Sequence, residues 1–284
     1  MSILSLFKDM LTGKLSYKSG SKKSQDNVND DGRCSMAKNI STDKDFKRIL
    51  VIGDIHGHYK KFMSLYNKLN VNDEDLVIYL GDYIDRGPEG ETAYVLDFMM
   101  REVKKDNVIA LRGNHEQMMI DFFNDGDLNW LLNGGNKTGA DIKNKMQADP
   151  NIMKKVMEFA DTRPLSHRMI INGKDYFFCH AGVKPDMPLE EQKADSLLWI
   201  RDEFINKYDG DTIIVVGHTP LVLLKPEGSL EMWRRDYQDI LNVKTVKPQW
   251  RRNGKILMMD TGSYFLNGCI SCMDIKSGKL WQSD

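Results

Sequence analysis

A chain of 284 residues, 41% hydrophobic and 29% charged, has the balance of a globular protein and room for one large domain or two small ones. A formal net charge of −1 gives no reason to expect general attraction to nucleic acid or anionic lipid, and no window has the apolar length of a membrane span or the layout of a secretory leader. Four cysteines in such a chain fit a reducing, cytoplasmic setting better than a disulfide framework.

Residues 1–46 read as a flexible arm: positions 12–46 are rich in Ser, Lys, Asn, Asp and Gly, while Ile3, Leu4, Phe7, Met10 and Leu11 mark a packed or frayed terminus. One domain is expected over 47–284, because no internal repeat or second composition regime follows. The apolar run 48–53 predicts a strand, and Phe62, Leu65, Tyr66 and Leu69 predict a helix over 59–70. A strand at 76–80, a helix near 90–104, a strand at 107–111 and a helix opening at His115 complete the rhythm of a parallel α/β core. The segment 117–163 looks helical, with breaks at Asn133–Gly135 and Pro150, and 166–179 reads as a hairpin turning at Asn172–Gly173. Further strands are expected over 212–216, 255–259, 269–274 and 279–282. Cys269 and Cys272 stand three apart in one of these, so their side chains point to opposite faces and share no metal.

Polar clusters close five of the strands. Gly53-Asp54-Ile55-His56-Gly57 ends the first, Gly81-Asp82-Tyr83-Ile84-Asp85-Arg86-Gly87 the second and Arg112-Gly113-Asn114-His115-Glu116 the third. Cys179-His180-Ala181-Gly182 and Gly217-His218-Thr219-Pro220 follow later strands. Ligand sites in α/β sheets lie beyond the carboxyl ends of the strands, so the clusters should converge there. Singly, each residue has a plain alternative: an Asp at a strand end is a common turn residue, and Asn114 with Gln117 resembles a helix capping box. Together they hold four of the six histidines, which points to a metal site, with His58 and His167 left for the surface or the surroundings.

Oxygen and nitrogen donors without thiolate suit manganese, iron or zinc. Asp82 is expected to bridge two divalent ions, with Asp54 and His56 completing one and Asn114, His180 and His218 the other. Two such ions roughly 3.5–4 Å apart activate a water and clamp phosphoryl oxygens for in-line attack.

GDIHG (53–57), GDYIDRG (81–87) and GNHE (113–116) resemble the phosphoprotein phosphatase family of metallophosphoesterases, whose pattern is GDxHG, GDxxDRG, GNHE. The likeness is to the bacterial and phage-lambda type and extends to RGNHEQMMID (112–121), WLLNGG (130–135), LLWIR (197–201), GHTP (217–220) and DTG (260–262). It implies a β-sandwich flanked by helices with a dimetal site at the carboxyl ends of the strands, usually run with manganese. It also implies that His115 is the general acid, that Asp85 orients it, and that Arg86 and Arg201 grip phosphate.

The expected activity is removal of phosphate from phosphoserine or phosphothreonine in a phosphoprotein or phosphopeptide. The alternative is hydrolysis of diadenosine polyphosphates or nucleotide ends with the same metals, and a phosphoprotein-binding pseudoenzyme stands behind both. The long connection from Pro220 to Asp260 departs from the compact pattern and carries Trp-Arg-Arg twice, at 233–235 and 250–252; it reads as a loop pinned by its tryptophans.

Overall fold

The computed structural model describes residues 45–224 and 246–284. All but the last two residues of the expected arm, and the first Trp-Arg-Arg, lie outside that range. The first half runs β1 (Arg48–Ile52), α1 (Tyr59–Leu69), β2 (Asp75–Tyr79), α2 (Glu91–Glu102), β3 (Val108–Ala110) and α3 (Asn114–Asp125). A wide helical turn (Leu131–Gly135) leads into α4 (Asn136–Met146) and α5 (Ile152–Asp161). The second half runs β4 (Ser166–Ile171), β5 (Lys174–Cys179), α6 (Ala194–Trp199), α7 (Asp202–Lys207), β6 (Ile213–Val216), β7 (Gln249–Arg251), β8 (Ile256–Met258), β9 (Ser271–Asp274) and β10 (Leu280–Gln282).

Two five-stranded sheets form, in the orders β10-β9-β1-β2-β3 and β4-β5-β6-β8-β7. In the first, β1, β2 and β3 are parallel and β9 and β10 add on antiparallel. In the second, β5, β6 and β8 are parallel, with β4 and β7 antiparallel at the edges. The chemistry of the strands explains the stacking. Alternate residues face opposite ways, and here both faces are apolar, which requires cover on both sides. Ile49, Val51, Ile78 and Ile109 pack against Phe178, Val215 and Leu257 between the sheets. Leu50, Ile52, Val77 and Tyr79 face outward onto helical residues such as Phe62, Leu65 and Met99. Phe177, Ile214 and Met258 likewise face Leu197, Leu198 and Phe204 of α6 and α7. The result is a β-sandwich with helices on both outer faces.

Most predicted elements stand within one or two residues of their expected bounds. The hairpin turns at Asn172 and Gly173 with φ of 50° and 76°, the positive pair that a tight two-residue turn requires. Strand β7 and the six-residue helices α6 and α7 were not anticipated. Phe46, which composition assigns to the arm, is buried in the layer between the sheets. Cys272 lies among the outward residues of the first sheet, whereas Cys269 precedes its strand and touches Thr261, Ser271 and Gln282. No helix of the described residues is long and apolar enough to cross a membrane.

Candidate metal centre

The parallel strands of both sheets end at one place. Asp54 and His56 follow β1, Asp82, Asp85 and Arg86 follow β2, and Asn114 and His115 open α3 directly after β3. From the other sheet, His180 follows β5 and His218 follows β6. The six predicted ligands are all buried, none more than 4% exposed. A buried carboxylate or imidazole needs a partner, and here the partners are largely one another.

Asp82 is the hub. Its Oδ2 lies 3.5 Å from His56 Nε2 and 4.0 Å from His115 Nε2, and its Oδ1 lies 3.4 Å from His180 Nε2. Two clusters of potential ligand atoms therefore share it: His56, Asp82 and His115, and Asp82, His180 and His218, each within 4.8 Å. Asn114 Oδ1 joins the second, 2.8 Å from His180 Nε2 and 3.0 Å from His218 Nδ1. Asp54 borders the first, with Oδ2 4.0 Å from His56 Nε2, and accepts the His218 backbone N–H. A β-carbon at Gly217 would collide with Asp54 Oδ1, so only glycine lets the two sheets close here. The structure thus brings all six predicted ligands together, with His115 in the first cluster as well.

Main-chain carbonyls fix the rings. His56 Nδ1–H donates to Ile84 O at 3.2 Å and His180 Nδ1–H to Leu80 O at 2.9 Å, which turns the other nitrogen of each into the centre. These nitrogens then face carboxylate and amide oxygens, an arrangement that calls for a proton or a cation between them. Burial and neighbouring charge act on the same groups. Burial, then the neighbouring charge of Asp260, drives the Asp54 carboxyl well above its ordinary range. Burial alone would do the same to Asp82, but His180, His115 and His56 hold it well below. Burial opposes a charge on His180 too, yet the Asp82 carboxylate pulls that ring up to about 9. His56 and His218 are driven well below theirs by burial and by the rings beside them. His218 Nε2 and Asp260 Oδ2 are buried without a hydrogen-bond partner. This donor set, oxygen and imidazole nitrogen around a shared carboxylate, fits a pair of divalent cations.

Next to the hub, His115 Nδ1–H donates to Asp85 Oδ2 at 2.6 Å, leaving Nε2 free toward Asp82. Arg86 lies over the Tyr264 ring, 4.5 Å from its centroid, and that ring meets His56 edge-on at 4.9 Å. Arg201 donates to His218 O at 3.2 Å, and the half-exposed Trp199 stands edge-on to the His218 ring at 6.2 Å. Both guanidinium groups therefore flank the cluster. His58 is half-buried and His167 is buried beside Phe178; neither joins the clusters.

Two features escaped the sequence reading: the Asp260 carboxyl and the bracing by Glu116. Asp260 follows β8 and adds a carboxyl, raised to about 6 by burial, near Asp54. Its signal is the strand-end position of DTG, which alone resembles any turn. Asn114 does not cap α3: Gly113 is the cap, and Glu116 Oε2 reaches back to its N–H at 3.0 Å, which frees Asn114 for the centre. The Glu116 carboxylate also accepts the backbone N–H groups of Asp82 and Tyr83, each at 2.9 Å, and so ties the loops after β2 and β3 together. Positive φ at His56, Asp82, Asp85, Arg86 and His218 places non-glycine residues in a sparsely populated region, at a cost of order 1–3 kcal/mol each. Such strain persists only where the surroundings over-determine it, and here it gathers on the polar loops of the centre.

A sandwich with this centre defines a metal-dependent phosphoesterase. The chain matches the model of the calcineurin-like phosphoesterases over residues 47–250 and belongs to that family. It is 33% identical over 172 residues to serine/threonine-protein phosphatase 2 of Salmonella typhimurium, covering 58% of this chain and 73% of the relative. It is 27% identical over 199 residues to the asymmetrical bis(5'-nucleosyl)-tetraphosphatase PrpE of Bacillus mycoides, covering 60% and 78%. Among solved structures, a serine/threonine protein phosphatase from Saccharomyces cerevisiae superposes with a TM-score of 0.53 at 15% identity, over 86% of this chain and 81% of that one, a likeness of fold. The bacterial phosphatase likeness marks the chain as a phosphoprotein-phosphatase type of this family.

Proposed function

We propose that this protein is a serine/threonine protein phosphatase that hydrolyses phosphomonoesters with two divalent cations, most readily manganese. Asp54, His56 and Asp82 would hold one cation, and Asp82, Asn114, His180 and His218 the other. When bound, the pair supplies Lewis-acid activation of water and charge to hold the phosphoryl oxygens. Arg86 and Arg201 bind phosphate oxygens with permanently charged planar forks. His115 donates the proton to the departing oxygen, and Asp85 holds its ring with Nε2 toward the centre. His115 is therefore an acid rather than a ligand: its Nδ1 is committed to Asp85 and its Nε2 to the leaving group.

The observation that carries this reading is the 2.6 Å contact between His115 and Asp85 beside the clusters. A serine or threonine alkoxide is a poor leaving group and needs such a proton, whereas a nucleotide phosphate departs more easily. The complete ligand set argues against a pseudoenzyme. The likeness to a bis(5'-nucleosyl)-tetraphosphatase supports a second reading on the same centre. Purified manganese-loaded enzyme should turn over phosphoserine and phosphothreonine peptides with a higher kcat/KM than diadenosine tetraphosphate. A preference for the dinucleotide would replace the first reading with the second.

A further inference from the structure

The segment Trp130–Thr138 contains the WLLNGG motif, for which the ligand set and the phosphate grip have no use. It forms the end of the α3–α4 connection and the first turn of α4. Its residues meet Asp85, Arg86 and Gly87 in turn.

Trp130 is fully buried, and its indole N–H lies 3.1 Å from both oxygens of Asp85. Thr138, also fully buried, donates its hydroxyl to Asp85 Oδ1 at 2.6 Å and accepts the Asp85 backbone N–H at 3.0 Å. With His115 on Oδ2, the Asp85 carboxylate is bonded from three directions and has one permitted orientation. A β-carbon at Gly135 would strike the Trp130 ring, so glycine there lets the indole in. A β-carbon at Gly134, which has φ of 104°, would come within 3.1 Å of Arg86 N and 3.2 Å of Arg86 Cγ. Lys137 Nζ reaches Gly87 O at 3.3 Å. Asp85 and Arg86 are consecutive non-glycine residues in the left-handed region, with φ of 69° and 62°. An isolated loop would relax out of that conformation; this one is gripped along its length.

We propose that residues 130–138 are a clamp on Asp85-Arg86-Gly87, with Trp130 and Thr138 positioning the proton donor through Asp85 and Gly134 positioning the phosphate-binding guanidinium. Trp130 and Thr138 are fully buried and reach the centre through Asp85, and Gly134 acts on Arg86, so all three are positioning residues. The inference rests on His115 acting as acid, and it predicts that the two arms of the clamp fail differently. Losing a bond to Asp85 should matter in proportion to how much the leaving group needs a proton. Crowding Arg86 should weaken phosphate binding whatever the leaving group.

The test uses full-length enzyme and phosphate monoesters of graded leaving group, from para-nitrophenyl through phenyl to an alkyl phosphate, which does not depend on the physiological substrate. Trp130→Phe and Thr138→Val each should lower kcat on the alkyl ester by roughly 10-fold or more, a part of the ~10²–10⁴-fold that general acid catalysis supplies, and on para-nitrophenyl phosphate by less than about threefold. Thr138→Ser, which keeps the hydroxyl, should stay near wild type. Gly134→Ala should instead raise KM across the series without steepening the leaving-group dependence. An independent reading comes from 15N-histidine-labelled protein without metal: the His115 Nδ1–H signal should exchange with water faster in Trp130→Phe and Thr138→Val than in wild type or Thr138→Ser. Equal losses on every ester, or an unchanged Nδ1–H signal in both variants, would overturn the clamp. A wild-type leaving-group dependence that His115→Asn leaves unaltered would instead overturn the acid assignment beneath it, and a wild type that ignores phosphopeptides would overturn only the protein-phosphatase reading.

Discussion

The loops after β1, β2 and β3 and those after β5 and β6 deliver similar side chains to the centre but hold them by different means. On the first side, His56, Asp82, Asp85 and Arg86 all sit at positive φ, and Glu116 and the 130–138 segment brace them. On the second side the holds fall on the main chain: Gly217 N–H donates to His180 O and Arg201 to His218 O, with His218 also at positive φ. His180 leans on Leu80 O and His218 takes its backbone acceptor from Asp54, both belonging to the first sheet. The first sheet therefore supplies a stiff frame with most of the charge, and the second supplies imidazoles that are placed by docking against it. Under the proposed function, that bracing falls on the proton donor and on Arg86, because small errors of angle weaken proton transfer more than they weaken binding to a spherical ion.

The largest effect should come from the one residue common to both clusters. Asp82→Asn removes the shared charge, and phosphatase activity should fall by at least on the order of 10³-fold, the upper range for losing one electrostatic stabiliser, with metal content by mass spectrometry falling too. Chelation should have the same outcome, and manganese should restore activity better than magnesium, which accepts imidazole poorly. Equal rescue by magnesium would mean that the histidines are not ligands.

A smaller but more selective effect separates the two sides. His115→Asn on the braced side should cost ~10²–10⁴-fold on a phosphoserine peptide and far less on para-nitrophenyl phosphate, with both metals retained. His180→Asn on the docked side should impair both substrates by the same factor through lost metal. Metal analysis beside the two rates decides between them; parallel losses with intact metal in His115→Asn would turn that residue from acid into brace.

The smallest effects lie outside the centre. Deleting residues 1–44 should leave the para-nitrophenyl phosphate rate nearly unchanged, since every proposed site residue lies beyond them. Phe46→Ala, two positions further on, should destabilise the fold by about 3–5 kcal/mol, read as a lower melting temperature with no shift in substrate preference, because its ring fills the layer between the sheets.

Much of this was legible in the sequence because the chemistry is local to strand ends. An apolar run followed by Gly-Asp, Gly-Asn-His or Gly-His declares both a strand and where its carboxyl end points, so the polar residues that converge could be named before any fold was seen, while Arg86 and Arg201 came from the family resemblance. What escaped was either short or made by contact at a distance. Strand β7 has three residues and helices α6 and α7 six each, too few to show a period. Glu116 suits a helix start, but only the packing of the β2 loop shows that it also holds the backbone of Asp82 and Tyr83. Trp130 and Thr138 lie 45 and 53 positions from Asp85, and nothing in their neighbours announces that the chain returns there.

The division of the ligands between two sheets also links occupancy to folding. Cations held by Asp54, His56 and Asn114 from one sheet and His180 and His218 from the other would bind only the closed sandwich, since the unfolded chain offers no such arrangement. By mass action, a cation present at a hundred times its dissociation constant adds about 2.7 kcal/mol to stability, comparable to burying a large apolar side chain. The melting temperature would then rise with the concentration of free cation, so that in the cell the lifetime of the protein, and not only its turnover, would track the supply of metal.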